Sequence, residues 1–213
     1  MRENTVLTEN AYNYILNEIL EGSIHPGDRI REDQIADQMG TSRTPVREAV
    51  NQLCQNGFIK YVKRKGLYCV SLTKEELNDL LELRQILEEY CYCKCAERAS
   101  KEDVGKLYDL IHDFRTKSPE EQIRTHMSED INFHVFAAEI TKSERLIKYI
   151  RELETLLMIV RKNLKESIKE KEVIDLSWEI HYQLVNAIEH HDSKLIRELN
   201  YEHIKLMKDT QLG

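Results

Sequence analysis

Apolar residues in the first third of the chain recur every three or four positions in three stretches, which predicts three amphipathic helices. The first stretch ends at Gly22, and the second runs from Ile30 to Met39 after a turn at Pro26 and Gly27. The third has these apolar residues on its inner face: Val46, Ala49, Val50 and Leu53. Two β-prone stretches, 58–62 and 67–71, follow on either side of a basic turn. This part of the chain therefore predicts three helices and a small β-hairpin.

From Thr73 onward the pattern is helical only, and capping residues divide it into about six helices. The capping boxes are predicted at Thr73 with Glu76, Ser118 with Glu121 and Thr141 with Glu144, with further caps at Ser100 and Asp192 and Pro119 at a first helical position. The predicted helices are 74–99, 101–116, 119–140, 143–165, roughly 168–190 and 193–210. The expected fold is mainly α: a winged helix-turn-helix domain at 1–72 and an all-α antiparallel helical bundle at 73–213.

The third helix has a polar edge suited to DNA. Ser42 or Thr44 is the predicted cap, and Pro45 lies in the first turn, where a backbone N–H is not needed. Arginine can bond guanine through two hydrogen bonds, and hydroxyl groups can bond phosphate or base. The basic turn after the helix is expected to meet phosphate or the minor groove. The predicted DNA-contacting residues are Ser42, Arg43, Thr44, Arg47, Asn51, Lys63, Arg64, Lys65 and Gly66.

The net charge of -7 is unevenly distributed along the chain. Residues 1–72 hold nine basic and nine acidic side chains, so the whole excess of negative charge lies in the second part. Residues 43–66 contain six basic side chains and one acidic side chain, Glu48. A basic edge on the first domain and an acidic second domain would direct DNA to the first.

These residues and their order resemble the N-terminal domain of the GntR family of bacterial transcription regulators, over residues 11–71. In that family a Ser-Arg-Thr-Pro-Val-Arg-Glu-Ala stretch opens the recognition helix. The resemblance implies that Arg43 and Arg47 read bases or phosphates and that Ser42 and Thr44 anchor phosphates. Some members have a further DNA-contacting arginine in the second helix, where this chain has Asp33, so that contact is not carried over.

Four polar residues share apolar helix faces in the predicted bundle. His181 lies eleven residues before the turn at Asp192 and His203 eleven after it, so both lie ~16 Å from that turn. Asp130 and His134 bracket a point ten residues before the turn near Lys142. If the turns align, one carboxylate and three imidazoles converge as a ligand set for Zn, Ni, Fe or Mn. Each histidine taken alone is better explained as a core side chain hydrogen-bonded to backbone, but four polar residues at matched depth favour the ligand set.

Arg84 lies on the apolar face of the first bundle helix, one turn before Glu88. Either the two side chains pair with each other, or the guanidinium holds a carboxylate whose other oxygen contacts the metal.

This second pattern resembles the FCD effector domain of the FadR subfamily of GntR regulators, over roughly residues 74–210. The resemblance assigns Asp130, His134, His181 and His203 to the metal and Arg84 to a small carboxylate effector that alters operator affinity. Six helices rather than seven favour the VanR-like branch. Ser143 stands near a position where many members have asparagine, so one minor pocket contact is not carried over.

The leading hypothesis is a cytoplasmic, homodimeric, metal-containing transcription regulator that binds a palindromic operator and is not an enzyme. Repression relieved by ligand is the commoner behaviour in the family that it resembles, but the sequence does not decide between repressor and activator. The alternatives are a metal-dependent hydrolase or lyase acting on a small carboxylate, and a metal with a structural role only. No apolar run approaches the ~18 residues of a membrane span, so no membrane partner is expected. Five cysteines without disulfide spacing fit a reducing compartment, and Cys91, Cys93 and Cys95 are expected to be small core residues.

Overall fold

The computed structural model describes residues 2–161 and 169–212. The first part of the chain contains α1 (Arg2–Glu21), β1 (Arg29–Ile30), α2 (Glu32–Gln38), α3 (Arg43–Gln55), β2 (Ile59–Val62) and β3 (Gly66–Cys69). The second contains α4 (Lys74–Arg98), α5 (Lys101–Arg115), α6 (Pro119–Ile140), α7 (Glu144–Arg161), α8 (Lys169–Glu189) and α9 (Ser193–Leu212). The predicted mainly helical fold is confirmed. The predicted ends of two helices, at 162–165 and at 168, lie outside the described residues.

The small sheet has a third strand that the sequence pattern did not indicate. Its order is β1-β3-β2, and both pairings are antiparallel. Ile30 was assigned to the second helix but lies on β1, opposite Leu67, because its side chain fills the apolar core beneath the sheet. The wing turn between β2 and β3 places Arg64 at φ 66° and Gly66 at φ 111°.

Helix α3 buries one face and exposes the other. Its buried residues are Pro45, Val46, Ala49, Val50 and Leu53, and all of them except Pro45 belong to one apolar core with residues of α1 and the sheet. Ser42 occupies the N-cap position with extended backbone, but its side chain makes no capping hydrogen bond. The serine hydroxyl therefore does not perform the capping role that was predicted for either Ser42 or Thr44.

In the bundle most of the predicted helix starts are confirmed by their caps. Thr73 and Ser100 form complete capping boxes, with Glu76 and Asp103 as partners. The box predicted for Thr141 is wrong: Thr141 ends α6, and its hydroxyl donates to the Ala138 carbonyl. Ser143 precedes α7 instead and accepts from the Leu146 backbone N–H, because the chain needs two further residues to turn between the helices.

Two compact units divide the chain, one up to Leu72 and one from Thr73. The part of α7 that begins at Leu156 groups with the first unit, and Ile159 belongs to that unit's apolar core. This differs from the predicted division, in which all of α7 belonged to the second domain. None of the described helices is long and apolar enough to cross a membrane.

Candidate metal centre and DNA-binding surface

The four predicted ligands converge in the middle of the bundle. Asp130 and His134 come from α6, His181 from α8 and His203 from α9, and all four are buried. One potential ligand atom from each residue lies within 4.8 Å of those of the other three. Asp130 Oδ1 is 3.4 Å from His134 Nε2 and 3.6 Å from His181 Nε2. The set of one carboxylate and three imidazoles matches the donors of a divalent transition-metal site.

Two of the histidines carry ring nitrogens without hydrogen-bond partners in the described part of the chain. These are both nitrogens of His181 and Nδ1 of His203, while Ser177 Oγ lies 3.0 Å from His203 Nε2. A buried polar atom without a partner costs free energy, and such atoms in native proteins call for an explanation. Burial lowers the pKa of His181 to about 3 and that of His203 well below its ordinary value. Both imidazoles are therefore neutral at pH 7, as metal ligands must be, and the donor set fits a metal.

Glu88 and Tyr92 hold the far side of the His134 ring. Glu88 Oε1 is 2.8 Å and the Tyr92 hydroxyl 2.5 Å from Nδ1, whereas Nε2 lies nearest to Arg84 Nη2 and 3.4 Å from Asp130 Oδ1. A metal-binding histidine usually donates its other ring N–H to a carboxylate, which fixes the ring's tautomer and orientation. Burial by itself lowers the pKa of His134, but Glu88 and Asp130 more than offset this and raise it to about 9.

Arg84 is completely buried and shared among three carboxylates. Its Nε lies 2.9 Å from Glu88 Oε1 and 2.8 Å from Glu154 Oε1, and its Nη2 lies 3.7 Å from Asp130 Oδ2. The same Nη2 is 2.6 Å from His134 Nε2. Burial lowers the pKa of Arg84, but the neighbouring carboxylates outweigh it and raise the pKa above its ordinary value. The structure thus places Arg84 in contact both with its predicted partner Glu88 and with the metal-ligand cluster.

The predicted DNA-contacting residues lie on α3, at its N-cap and in the turn and strand of the wing that follow β2. Gly66 is half-buried, and the other eight residues are exposed. The exposed residues are Ser42, Arg43, Thr44, Arg47, Asn51, Lys63, Arg64 and Lys65. A cleft of about 420 Å³ opens beside Arg43 and Gly66. Arg29 and Arg31 also line it, and neither forms an ion pair with another described residue.

Comparison with known families decides the identity of both parts. Residues 79–206 match the FCD domain, and residues 7–69 match the bacterial regulatory proteins of the gntR family. The chain belongs to the GntR family. The predicted combination of a GntR DNA-binding domain with an FCD domain is confirmed, and it is the combination expected of the FadR subfamily.

Relatives of this GntR regulator include proteins named for the operons they regulate. It is 32% identical over 136 residues to the Nta operon transcriptional regulator of Aminobacter aminovorans, a match that spans 64% of each chain. It is 28% identical over 210 residues to the Uxu operon regulator of Haemophilus influenzae, covering 90% of this chain and 76% of the relative. The matched stretch is thus slightly under two thirds of the first relative's length.

A solved structure of McbR/YncC from E. coli has a similar fold. Its TM-score is 0.78 at 21% identity, and the match covers 97% of this chain and 99% of that one. The matched families and the operon regulators among the relatives confirm the prediction that this GntR regulator is not an enzyme.

Several residues beside the buried metal-ligand cluster and beside α3 were not predicted from the sequence. Glu154 on α7 stands between Ile150 and Leu157, so the search for polar residues on apolar faces could have found it. Tyr92 gave no such signal, because a buried tyrosine is common in a core. Arg31 gave none either, because its place beside Arg43 depends on how β1 joins the sheet.

Proposed function

We propose that this GntR regulator binds a palindromic operator as a homodimer and that a small carboxylate, bound at a divalent metal, changes its operator affinity. The observation that carries the proposal is the buried cluster of Asp130, His134, His181 and His203. Ring nitrogens of His181 and His203 in this cluster have no hydrogen-bond partner among the described residues. A metal held there would supply a Lewis acid for one carboxylate oxygen, and Arg84 would bind the carboxylate through its free Nη1. A ligand bound in this way shifts a two-state equilibrium only if it prefers one state.

The exposed edge of α3 supports sequence-specific DNA binding. Arg43 and Arg47 are the proposed base or phosphate contacts, and the wing turn from Lys63 to Gly66 the proposed phosphate contact. We add Arg29 and Arg31 to this set as phosphate contacts, because they line the cleft beside Arg43.

An apolar stripe on α4 supports the homodimer. Leu83, Ile86 and Tyr90 are 46%, 66% and 56% exposed, and their spacing puts them on one helix face. Such a face on the second compact unit, which begins at Thr73 and is called the effector unit below, fits a symmetric contact with the same face of a second copy. A dimer with twofold symmetry places two recognition helices on an inverted repeat.

The DNA half of the proposal is tested by selecting binders of the metal-loaded protein from a random duplex pool. An inverted repeat is expected among the selected sequences, and Arg47→Ala is expected to lower the affinity for it and relax its sequence preference. Arg124→Ala, on the effector unit and 75% exposed, is the matched control. A pool without any enriched sequence would contradict sequence-specific recognition.

The metal half is tested by measuring the metal content of protein purified without added metal. A His181→Ala, His203→Ala double variant is expected to lose the metal, whereas a His190→Ala, His191→Ala variant, altered at the α8–α9 turn, is expected to keep it. Full metal content in the first variant would overturn the proposed site. Mass spectrometry of the wild-type protein identifies the metal.

A further inference from the structure

Several hydrogen-bond donors and acceptors of Arg84 and its two glutamate neighbours have no partner among the described residues. Arg84 Nε carries a single hydrogen, which it donates to Glu88 Oε1, so the equally near Glu154 Oε1 receives no hydrogen bond from the described part of the chain. Glu88 Oε2 also has no hydrogen-bond partner among the described residues, and neither has Arg84 Nη1. All three residues are at most 1% exposed. The site therefore has unused donors on one guanidinium nitrogen and unused acceptors on two carboxylates.

The charges in the site disfavour a ligand that brings a negative charge only. Three buried carboxylates, Glu88, Asp130 and Glu154, accompany one guanidinium. A divalent metal together with Arg84 balances these three negative charges when the imidazoles are neutral, and its positive charge favours the ionised form of Glu154. A plain carboxylate adds a fourth negative charge beside oxygens that lack partners. Burying such an uncompensated charge is costly.

A ligand with a carboxylate and a neighbouring ammonium group uses both kinds of free group. Its carboxylate would accept from Arg84 Nη1, and its ammonium would donate to Glu154 Oε1 and Glu88 Oε2, the atoms without hydrogen-bond partners among the described residues. It adds no net charge to the site. A hydroxyl in the same position donates one hydrogen bond but supplies no compensating charge, so it satisfies the site only in part.

We propose that the effector is an amino carboxylate and that Glu154 is the residue that selects its amino group. This inference rests on the proposed function, since it assumes a carboxylate effector at the metal and Arg84.

The test is calorimetric titration of the metal-loaded full-length protein with matched acids. Each set shares a carbon skeleton: acetate, glycolate and glycine; propionate, lactate and alanine; succinate, malate and aspartate. In every set that binds, the amino acid is expected to bind at least about tenfold more tightly than the plain acid, with the hydroxy acid between them.

Three variants connect this preference with Glu154. Glu154→Gln is expected to lower the ratio of amino-acid to plain-acid affinity about tenfold. Glu154→Asp retains the charge and is expected to retain the preference. Glu152→Gln, at a half-buried glutamate two positions earlier on α7, is expected to leave the ratio unchanged. Metal content and melting temperature establish that each variant is folded, and the wild-type ratios test the ligand class without any variant.

The possible failures are distinguishable. Plain acids that bind as tightly as their amino counterparts would overturn this inference and leave the carboxylate effector in place. Amino acids preferred equally by the wild type and by Glu154→Gln would overturn the role of Glu154. If no acid of the panel binds the metal-loaded protein, both this inference and the carboxylate part of the proposed function are overturned.

Discussion

His134 and His181 are both completely buried, yet their surroundings shift their pKa values in opposite directions. Burial disfavours the charged form of each ring. Two carboxylates beside His134 more than compensate and raise its pKa to about 9, whereas His181 has burial and a positive neighbour, His134, which together lower its pKa to about 3. The carboxylates therefore favour the charged form of the His134 ring, whereas the His181 ring stays neutral at pH 7.

Glu154 makes the stability of the metal-free protein depend on pH. Burial raises its pKa from 4.5 to about 7, although Arg84 opposes the shift. Between these values the folded state binds more protons than the unfolded state, so the contribution of Glu154 to the free energy of unfolding falls as pH rises. The loss is at most about 3 kcal/mol. Glu154→Gln is expected to lack this part of the dependence.

Denaturant unfolding of metal-free wild type and Glu154→Gln at several pH values between 4.5 and 7 measures the difference. The variant should gain stability relative to the wild type as pH rises. Glu152→Gln serves as the control, and a constant difference between wild type and Glu154→Gln would contradict the raised pKa.

The exposed stripe of α4 determines the oligomeric state in this proposal. Ile86→Asp places a charge at the most exposed of the three apolar positions, where a dimer contact would bury it without a partner. The variant is expected to be monomeric and to bind an inverted repeat more weakly than the wild type. Light scattering measures the mass, and Tyr149→Asp, at another exposed residue of the effector unit, is the control. A dimeric Ile86→Asp variant would show that the contact lies elsewhere.

The position of β1 beside the wing has a consequence for DNA binding. Because Arg29 and Arg31 line the same cleft as Arg43, Arg31→Ala is expected to weaken binding about equally for all sequences. Each lost phosphate contact should reduce the slope of log affinity against log salt by about 0.9. Titrations at several salt concentrations measure the slope. An unchanged slope in an Arg29→Ala, Arg31→Ala double variant would exclude both from the interface.

Metal binding should stabilise the effector unit as a whole, because its ligands come from three helices that only the folded state brings together. At a free metal concentration a hundredfold above Kd the gain is about 2.7 kcal/mol. Trp178 is the sole tryptophan, and its ring lies 5.2 Å from the His181 ring. Its emission during thermal unfolding is therefore expected to report a higher melting temperature with metal than after chelation.

Asp130→Asn should reduce this metal-dependent rise in melting temperature, since the amide is a weaker ligand than the carboxylate. Asp113→Asn, at an exposed aspartate of α5, is the matched control. A rise of equal size in wild type and Asp130→Asn would place the metal at another site.

Local spacing in the sequence was enough to predict the helices and the four candidate ligands. Helical periodicity and caps depend on residues a few positions apart, so most helix starts in the bundle were predicted correctly. His181 and His203 are the same number of residues from the turn at Asp192. Because each helix rises by the same distance per residue, this predicted that both lie equally far from the turn along an antiparallel helix pair.

The tertiary structure decided the features that depend on which elements become neighbours. The third strand of the sheet, the cleft beside Arg31 and the approach of Glu154 to Arg84 join residues far apart in sequence. Neither periodicity nor capping residues encode such pairings. The sequence thus determined the GntR and FCD domains and the candidate ligands, whereas the packing of α7 against α4 at Glu154 and Arg84 decided which hydrogen-bonding groups remain for an effector.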